Sequence, residues 1–376
     1  MKRVLSFLLC VLLLSGCAVK KPVIKNEENK LFYGIWITYS ELEDLLSNDF
    51  ENSFNKICEN AKSLGATALF VHTRAFSDSI YPSQLFPIRN YLASLPFDPL
   101  DKMLSIAKNY SLEFHAWINP YRVSFKNDID ALDANSPARR YEGILLDNTN
   151  GLYLDPSSEK ARGLIIDGIK EICENYDIDG IHFDDYFYPT TDERIDSKSY
   201  AAYKSSADNS LPLDLWRKAN VTLLIADTSR YLKSRNIAFT LSPAADIDKN
   251  KNEFYADVEN WCSMEYFDAI IPQLYFGFDY PLESFSFDSL LDQWISLKGK
   301  SATKLYIGLA PYKLDIQNVP DSTEWKNGTD IVARQLSIIK QNENTDGAVL
   351  FSYSYLFNEK QNYIKQKQEI IKIIKE

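Results

Sequence analysis

From residue 31 to the end, short apolar runs alternate with longer amphipathic stretches. The short runs, at 32–38, 68–73, 112–118, 181–186, 237–242, 269–275, 305–309 and 348–352, are apolar at nearly every position. That pattern fits strands covered on both faces, as in a parallel sheet. Between them, apolar residues recur at helical spacing. Leu164, Ile165, Ile169 and Ile172 show this within 157–175. Further helices are expected at 51–64, 98–109, 213–234, 254–265, 289–298, 331–341 and 361–375. Asp98 and Pro99 carry a helix-start signal, an N-cap followed by proline at the first helical position.

Eight strands, each followed by helical sequence, predict an α/β fold of the (β/α)₈ TIM-barrel type. An open doubly wound sheet shows the same alternation, and the count of eight favours the barrel. No Gly-rich linker divides the chain, so one catalytic domain is expected over 31–376. There is no G-x-G-x-x-G and no phosphate loop, which removes the commonest nucleotide-binding readings.

The first thirty residues read differently. Lys2 and Arg3 precede an apolar run at 4–14, too short to span a bilayer, which takes roughly 20 residues. Such a layout is an export signal, here 1–16. Its end, Leu14-Ser15-Gly16-Cys17, resembles the bacterial lipoprotein cleavage box, which implies lipidation at Cys17. Residues 17–30 then form a lipidated, polar tether. The expected location is the cell envelope, with the exported protein anchored to a bacterial membrane by its lipid. The remaining cysteines, Cys58, Cys173 and Cys262, match neither a metal knuckle nor a disulfide framework and read as buried thiols.

The formal net charge of -11 argues against a nucleic-acid partner, because phosphate binding wants clustered Lys and Arg. Aromatic residues make up 13% of the chain, 23 of them tyrosines. Ring faces of this kind suit sugars, and they are also ordinary core material.

Barrel enzymes place their chemistry at the C-terminal ends of the strands, and here the polar residues collect there. Strand two ends in His72-Thr73-Arg74. Strand three runs through His115, Trp117 and Asn119 to Arg122. Strand four holds His182, Asp184, Asp185 and Tyr186. Strand five leads to Ser242 and Asp246, and strand six to Gln273 and Tyr275. Side chains alternate across a strand, so His182, Asp184 and Tyr186 share the face turned to the barrel mouth. Asp184 is the first candidate for a catalytic carboxylate, with Asp185 or Asp246 as partner. Arg74, His115, Trp117, Asn119, Arg122, His182, Tyr186, Gln273 and Tyr275 are candidates for substrate binding. The aspartates can also be read as loop caps, and the arginines as structural ion pairs. No H-x-H strand and no His-x-x-x-His helix supports zinc, so no metal or cofactor is expected.

Residues 179–189, together with 115–122, Pro272-Gln273-Leu274-Tyr275 and the first strand, resemble the glycosyl-hydrolase-like 10 family of bacterial, often lipid-anchored barrel proteins. The resemblance covers nearly all of the chain after residue 30. It implies a barrel fold and glycosidase chemistry on a cell-envelope polysaccharide, with peptidoglycan strands stripped of peptides as the leading substrate. By position it places Arg74, Asn119, Arg122, Asp184, Asp185, Gln273 and Tyr275 in the cleft. A weaker likeness to family-18 chitinases around 179–189 lacks their acid glutamate, because Tyr186 stands in its place.

Glycoside hydrolysis uses two carboxyl groups, one donating a proton and the other attacking the sugar or activating water. The expected activity is therefore hydrolysis of an O-glycosyl bond by a monomer whose partner is a polysaccharide. Two alternatives stand beside it: a non-catalytic glycan-binding lipoprotein, and a metal-dependent hydrolase.

Overall fold

The computed structural model describes residues 31–46, 49–184, 187–314 and 316–376. Cys17 and the tether, and also Asp185 and Tyr186, lie outside these residues.

Eight parallel strands close into a barrel. They are β1 (Phe32–Ile37), β2 (Ala68–Arg74), β3 (Glu113–Ile118), β4 (Gly180–Phe183), β5 (Ala238–Leu241), β6 (Ala269–Ile270), β7 (Lys304–Leu309) and β8 (Gly347–Leu350). β1 pairs with β2 on one side and β8 on the other, which closes the ring. The sheet therefore has no exposed edge. The expected order of strands and helices is the observed one, and Asp98 caps its helix through the N–H groups of Leu100 and Asp101.

Alternation along each strand makes two cores. Ile35, Ile37, Leu69, Val71, Phe114, Ala116, Ile118, Ile181 and Phe183 pack outward against the helices. Trp36, Ala68, Phe70, Trp117, Ile271, Tyr306 and Val349 fill the barrel interior, with Phe32 and Phe351 against them. Layers of side chains plug such barrels, so the interior is a core and not a pore. The plug needs small residues opposite large ones. At Gly180 a Cβ would collide with the His115 ring, so glycine on β4 makes room for histidine on β3.

Two expected elements are shorter than the pattern suggested. β6 stops as a regular strand at Ile270, because Pro272 has no N–H for the ladder. The chain nonetheless continues along the barrel wall, with Gln273 N–H donating to the Pro243 carbonyl at 3.0 Å. The helix expected over 254–265 is only Val258–Ser263, and a separate short helix, Ile247–Asn252, precedes it.

Candidate active site

The C-terminal mouth of the barrel opens into a cavity of about 370 Å³. Its lining includes the expected residues Trp117, Arg122, Asp184, Gln273 and Tyr275. Trp36, Tyr39, His72, Phe125, Tyr312 and Phe351 join them. His72 belongs to the polar end of strand two; the others come from the ends of β1 and β8 and from loops, where no polar motif marked them. Trp36 and Phe351 were legible only as interior positions of apolar strands.

Asp184 follows β4 directly and is 2% exposed. The indole N–H of Trp117 donates to its Oδ2 at 3.1 Å. The amide of Asn119 donates to both oxygens, each at 3.1 Å. The backbone N–H of Arg122 in turn donates to Asn119 Oδ1 at 3.1 Å. Strand β3 and its exit loop thus hold the carboxylate by N–H groups. Asp184 is the carboxylate in the mouth lining among the described residues.

The other face of the mouth is aromatic. Tyr275 lies 5.8 Å, centroid to centroid, from both Tyr312 and Phe351. Its backbone is pinned from outside by Lys313, which donates to the Tyr275 carbonyl at 2.8 Å and to the Asp321 carboxylate at 2.9 Å. Burial alone would raise the Asp321 carboxyl; bonds from Lys313, Trp325 and the Gly277 N–H offset this and hold it below its usual range. Gln273 donates to the Ser242 carbonyl at 3.0 Å, tying β6 to β5 at the rim.

His72 stacks on Trp117, with centroids 3.5 Å apart and planes 11° from parallel. It is buried, and among the described residues neither ring nitrogen has a hydrogen-bond partner. Burial, followed by the positive charges of Arg122 and Arg89, holds its imidazole well below the usual value. It is therefore neutral at pH 7.

Five of the expected site residues do not line the cavity: Asn119 is buried as a donor to Asp184, and four sit elsewhere. His182 lies beneath the mouth in the barrel interior and is completely buried. Trp36 donates its indole N–H to His182 Nε2 at 3.1 Å. An indole cannot accept, so Nε2 carries no proton and Nδ1–H is left to donate to Thr240 Oγ1 at 2.8 Å. Burial, then the charge of His115, keeps this imidazole neutral. His182 positions Trp36 and does not face the cavity.

His115 is lower still. It stacks on Phe70 with centroids 4.6 Å apart and reaches Glu113 at 3.3 Å. It borders a hollow with Phe32, Lys304 and Tyr306, at the N-terminal end of the strands. The reason is position: it is the third residue of β3, two before Trp117.

Arg74 turns outward. The β2–β3 register pairs His72 with Trp117 but Arg74 with Ile118, so Thr73 is an extra residue in a bulge. A bulge of this kind reverses the alternation beyond it. Arg74 is consequently buried between barrel and helix, with its guanidinium 3.7 Å from the Phe86 ring centre and pressed against Gly168.

Asp246 is the N-cap of the Ile247–Asn252 helix, accepting from the Lys249 N–H at 3.0 Å. It does not line the mouth. An aspartate directly before a polar, helix-forming run was the available signal. The three histidines occupy three levels of the barrel. No three His, Cys, Asp or Glu side chains gather as metal ligands would among the described residues.

A model of the family described as glycosyl hydrolase-like 10 matches residues 32–327. The chain is 28% identical to glycosyl hydrolase YngK of Bacillus subtilis (strain 168), over 93% of this chain and 74% of that one. It is 25% identical to glycosyl hydrolase DigH of Escherichia coli (strain K12), over 90% of this chain and 86% of that one. Among solved structures, the PgaB (BpsB) glycoside hydrolase domain from Bordetella bronchiseptica shares the fold. The TM-score is 0.59 at 12% identity, covering 89% of this chain and 98% of that one.

Proposed function

Because the chain belongs to the glycosyl hydrolase-like 10 family, we propose that it is a glycoside hydrolase acting on a cell-envelope polysaccharide, with peptidoglycan glycan strands as the leading substrate and Asp184 as a catalytic carboxylate. The observation that carries this reading is the setting of Asp184: buried, on the mouth lining, with Trp117 and Asn119 donating to both oxygens. N–H donors on both oxygens are the partners an ionised carboxylate takes. Asp184 is accordingly assigned to attack on the anomeric carbon or to activation of water. The proton for the leaving oxygen has to come from a second carboxyl group. Asp185, next along the chain, is assigned that role, since Asp246 is engaged as a helix cap. The aromatic half of the mouth offers ring faces to the sugar.

The substrate class draws on the lipoprotein-like N-terminus. A protein held to an envelope membrane through Cys17 by lipid would meet wall polymers directly. Polysaccharide is the partner, and the monomer is the proposed working unit.

The test is product release from peptide-free peptidoglycan strands by the full-length chain and by Asp184→Asn. Release by the wild type, reduced at least about 100-fold in the variant, supports the reading, since such groups contribute roughly 10²–10⁴-fold. Equal release by both proteins removes Asp184 from the chemistry. The competing reading is a glycan-binding protein without turnover, for which the aromatic mouth lining suffices. Capture of the strands with no release by the wild type would select it.

A further inference from the structure

The mouth cavity has a neighbour. A second hollow of about 600 Å³ lies between the loops that follow β2 and β3, and Phe125 lines both. Phe125 is 57% exposed, an unusual setting for a phenyl ring. It is nevertheless held in place. The Arg122 guanidinium stands 4.7 Å from its centroid and 4.9 Å from that of Phe76. Phe76 meets Phe125 edge-on at 5.3 Å. The backbone beneath is equally constrained: at Gly151 a Cβ would run into the Ser124 carbonyl. Glycine there lets residues 122–124 pair closely with 152–153. The ring is thus presented to solvent on a fixed mount.

Around it the hollow is polar but carries no positive excess. Glu43, Asp78 and Asp133 face Arg89 and Lys126 in the lining. Arg89 is offset by two of these carboxylates, with Nε 3.6 Å from Asp78 and Nη2 3.9 Å from Glu43, while its Nη1 has no hydrogen-bond partner among the described residues. Such a lining gives no net attraction to the lactyl carboxylates that alternate units of a peptide-free strand carry, so the fitting part of that ligand is the uncharged unit between them. An uncharged, hydroxyl-rich one would find carboxylate acceptors beside an exposed ring, the pairing of an apolar surface with a few polar groups that small-ligand sites use.

We propose that this hollow is a distal binding site for further uncharged sugar units of the same glycan chain, with Phe125 as the stacking platform between it and the mouth. The inference rests on the glycan reading of the mouth. It adds that the protein grips a chain over both hollows, so affinity grows with chain length.

The experiment titrates peptide-free glycan fragments of two, four and six sugars into the full-length chain carrying Asp184→Asn, which keeps the fragments intact, by calorimetry. The same series is run with Phe125→Ala added. The expected result is affinity rising at least about tenfold from the shortest to the longest fragment, a gain of the size one aromatic contact gives. Phe125→Ala, a surface change, should bring that ratio close to one. Affinity independent of length, or a ratio untouched by Phe125→Ala, overturns the distal site and leaves the mouth reading standing. Binding of none of the fragments overturns the peptidoglycan reading and this inference with it.

Discussion

The indole N–H of Trp117 and the carboxylate of Asp184 are 3.1 Å apart, and this bond joins two functions that sequence reading kept separate. Trp117 is both interior filling and the clamp on the proposed catalytic carboxylate. Its ring stacks on His72 while its edge meets Asp184. Trp117→Phe keeps a ring and removes the donor. A hydrogen bond to a charged group is worth about 1.5–3 kcal/mol, so turnover is expected to fall by roughly 10- to 100-fold. Wild-type rates from Trp117→Phe would show that the Asn119 amide alone positions the carboxylate.

Arg217 and Asp196 form the second decisive pair. Arg217 Nε and Nη2 meet Asp196 at 2.7 and 2.6 Å, and its Nη1 donates to Tyr255 at 2.8 Å. Both side chains of the ion pair are completely buried. Burial opposes the charge on Arg217, and Asp196 and Tyr255 more than offset that. The pair anchors the long loop after β4, which carries the chain away from Asp184. Arg217→Met leaves Asp196 buried without its cation, which costs about 3–5 kcal/mol. Urea unfolding measures this; a loss below about 1 kcal/mol would mean the loop is held by other contacts.

The neutral histidines set a pH dependence. His72 and His182 are both held below their ordinary value when folded. As pH falls below about 6.5 the unfolded chain takes up protons that the folded one refuses. Their contribution to stability is therefore complete above that pH and declines below it, by about 1.4 kcal/mol per pH unit for each histidine. Unfolding free energies at neutral and mildly acidic pH should differ less in His182→Gln than in the wild type. An unchanged difference would place the proton uptake elsewhere.

Arg74 is expected to be dispensable for chemistry. The bulge at Thr73 turns it away from the cavity, and two of its guanidinium nitrogens, Nε and Nη1, have no hydrogen-bond partner among the described residues. Arg74→Met preserves the packing over Phe86, and its kcat/KM should stay within about twofold of the wild type. A drop beyond tenfold would return Arg74 to the substrate path.

What the sequence determined by itself was whatever depends on period and local chemistry. Burial on both faces of a strand writes a continuous apolar run, and one buried helix face writes a 3.6-residue repeat, so eight strands and their helices were countable. Strand alternation carried Asp184 and Trp117 to the inside, and proximity in the chain carried Arg122 to the mouth and Asn119 to the Asp184 carboxylate. The tertiary structure alone decided the rest. Depth along the barrel axis separates His115 and His182 from the mouth, because strand register sets height and no single strand encodes it. One extra residue at Thr73 reversed the facing of Arg74, and the helix begun at Ile247 claimed Asp246 as its cap. The aromatic wall of Tyr275, Tyr312 and Phe351 and the platform of Phe125 come from segments far apart in the chain. Pairing of β6 with β7 and of β7 with β8 brings the three rings together, and the curvature of the closed sheet sets Phe125 in the same mouth.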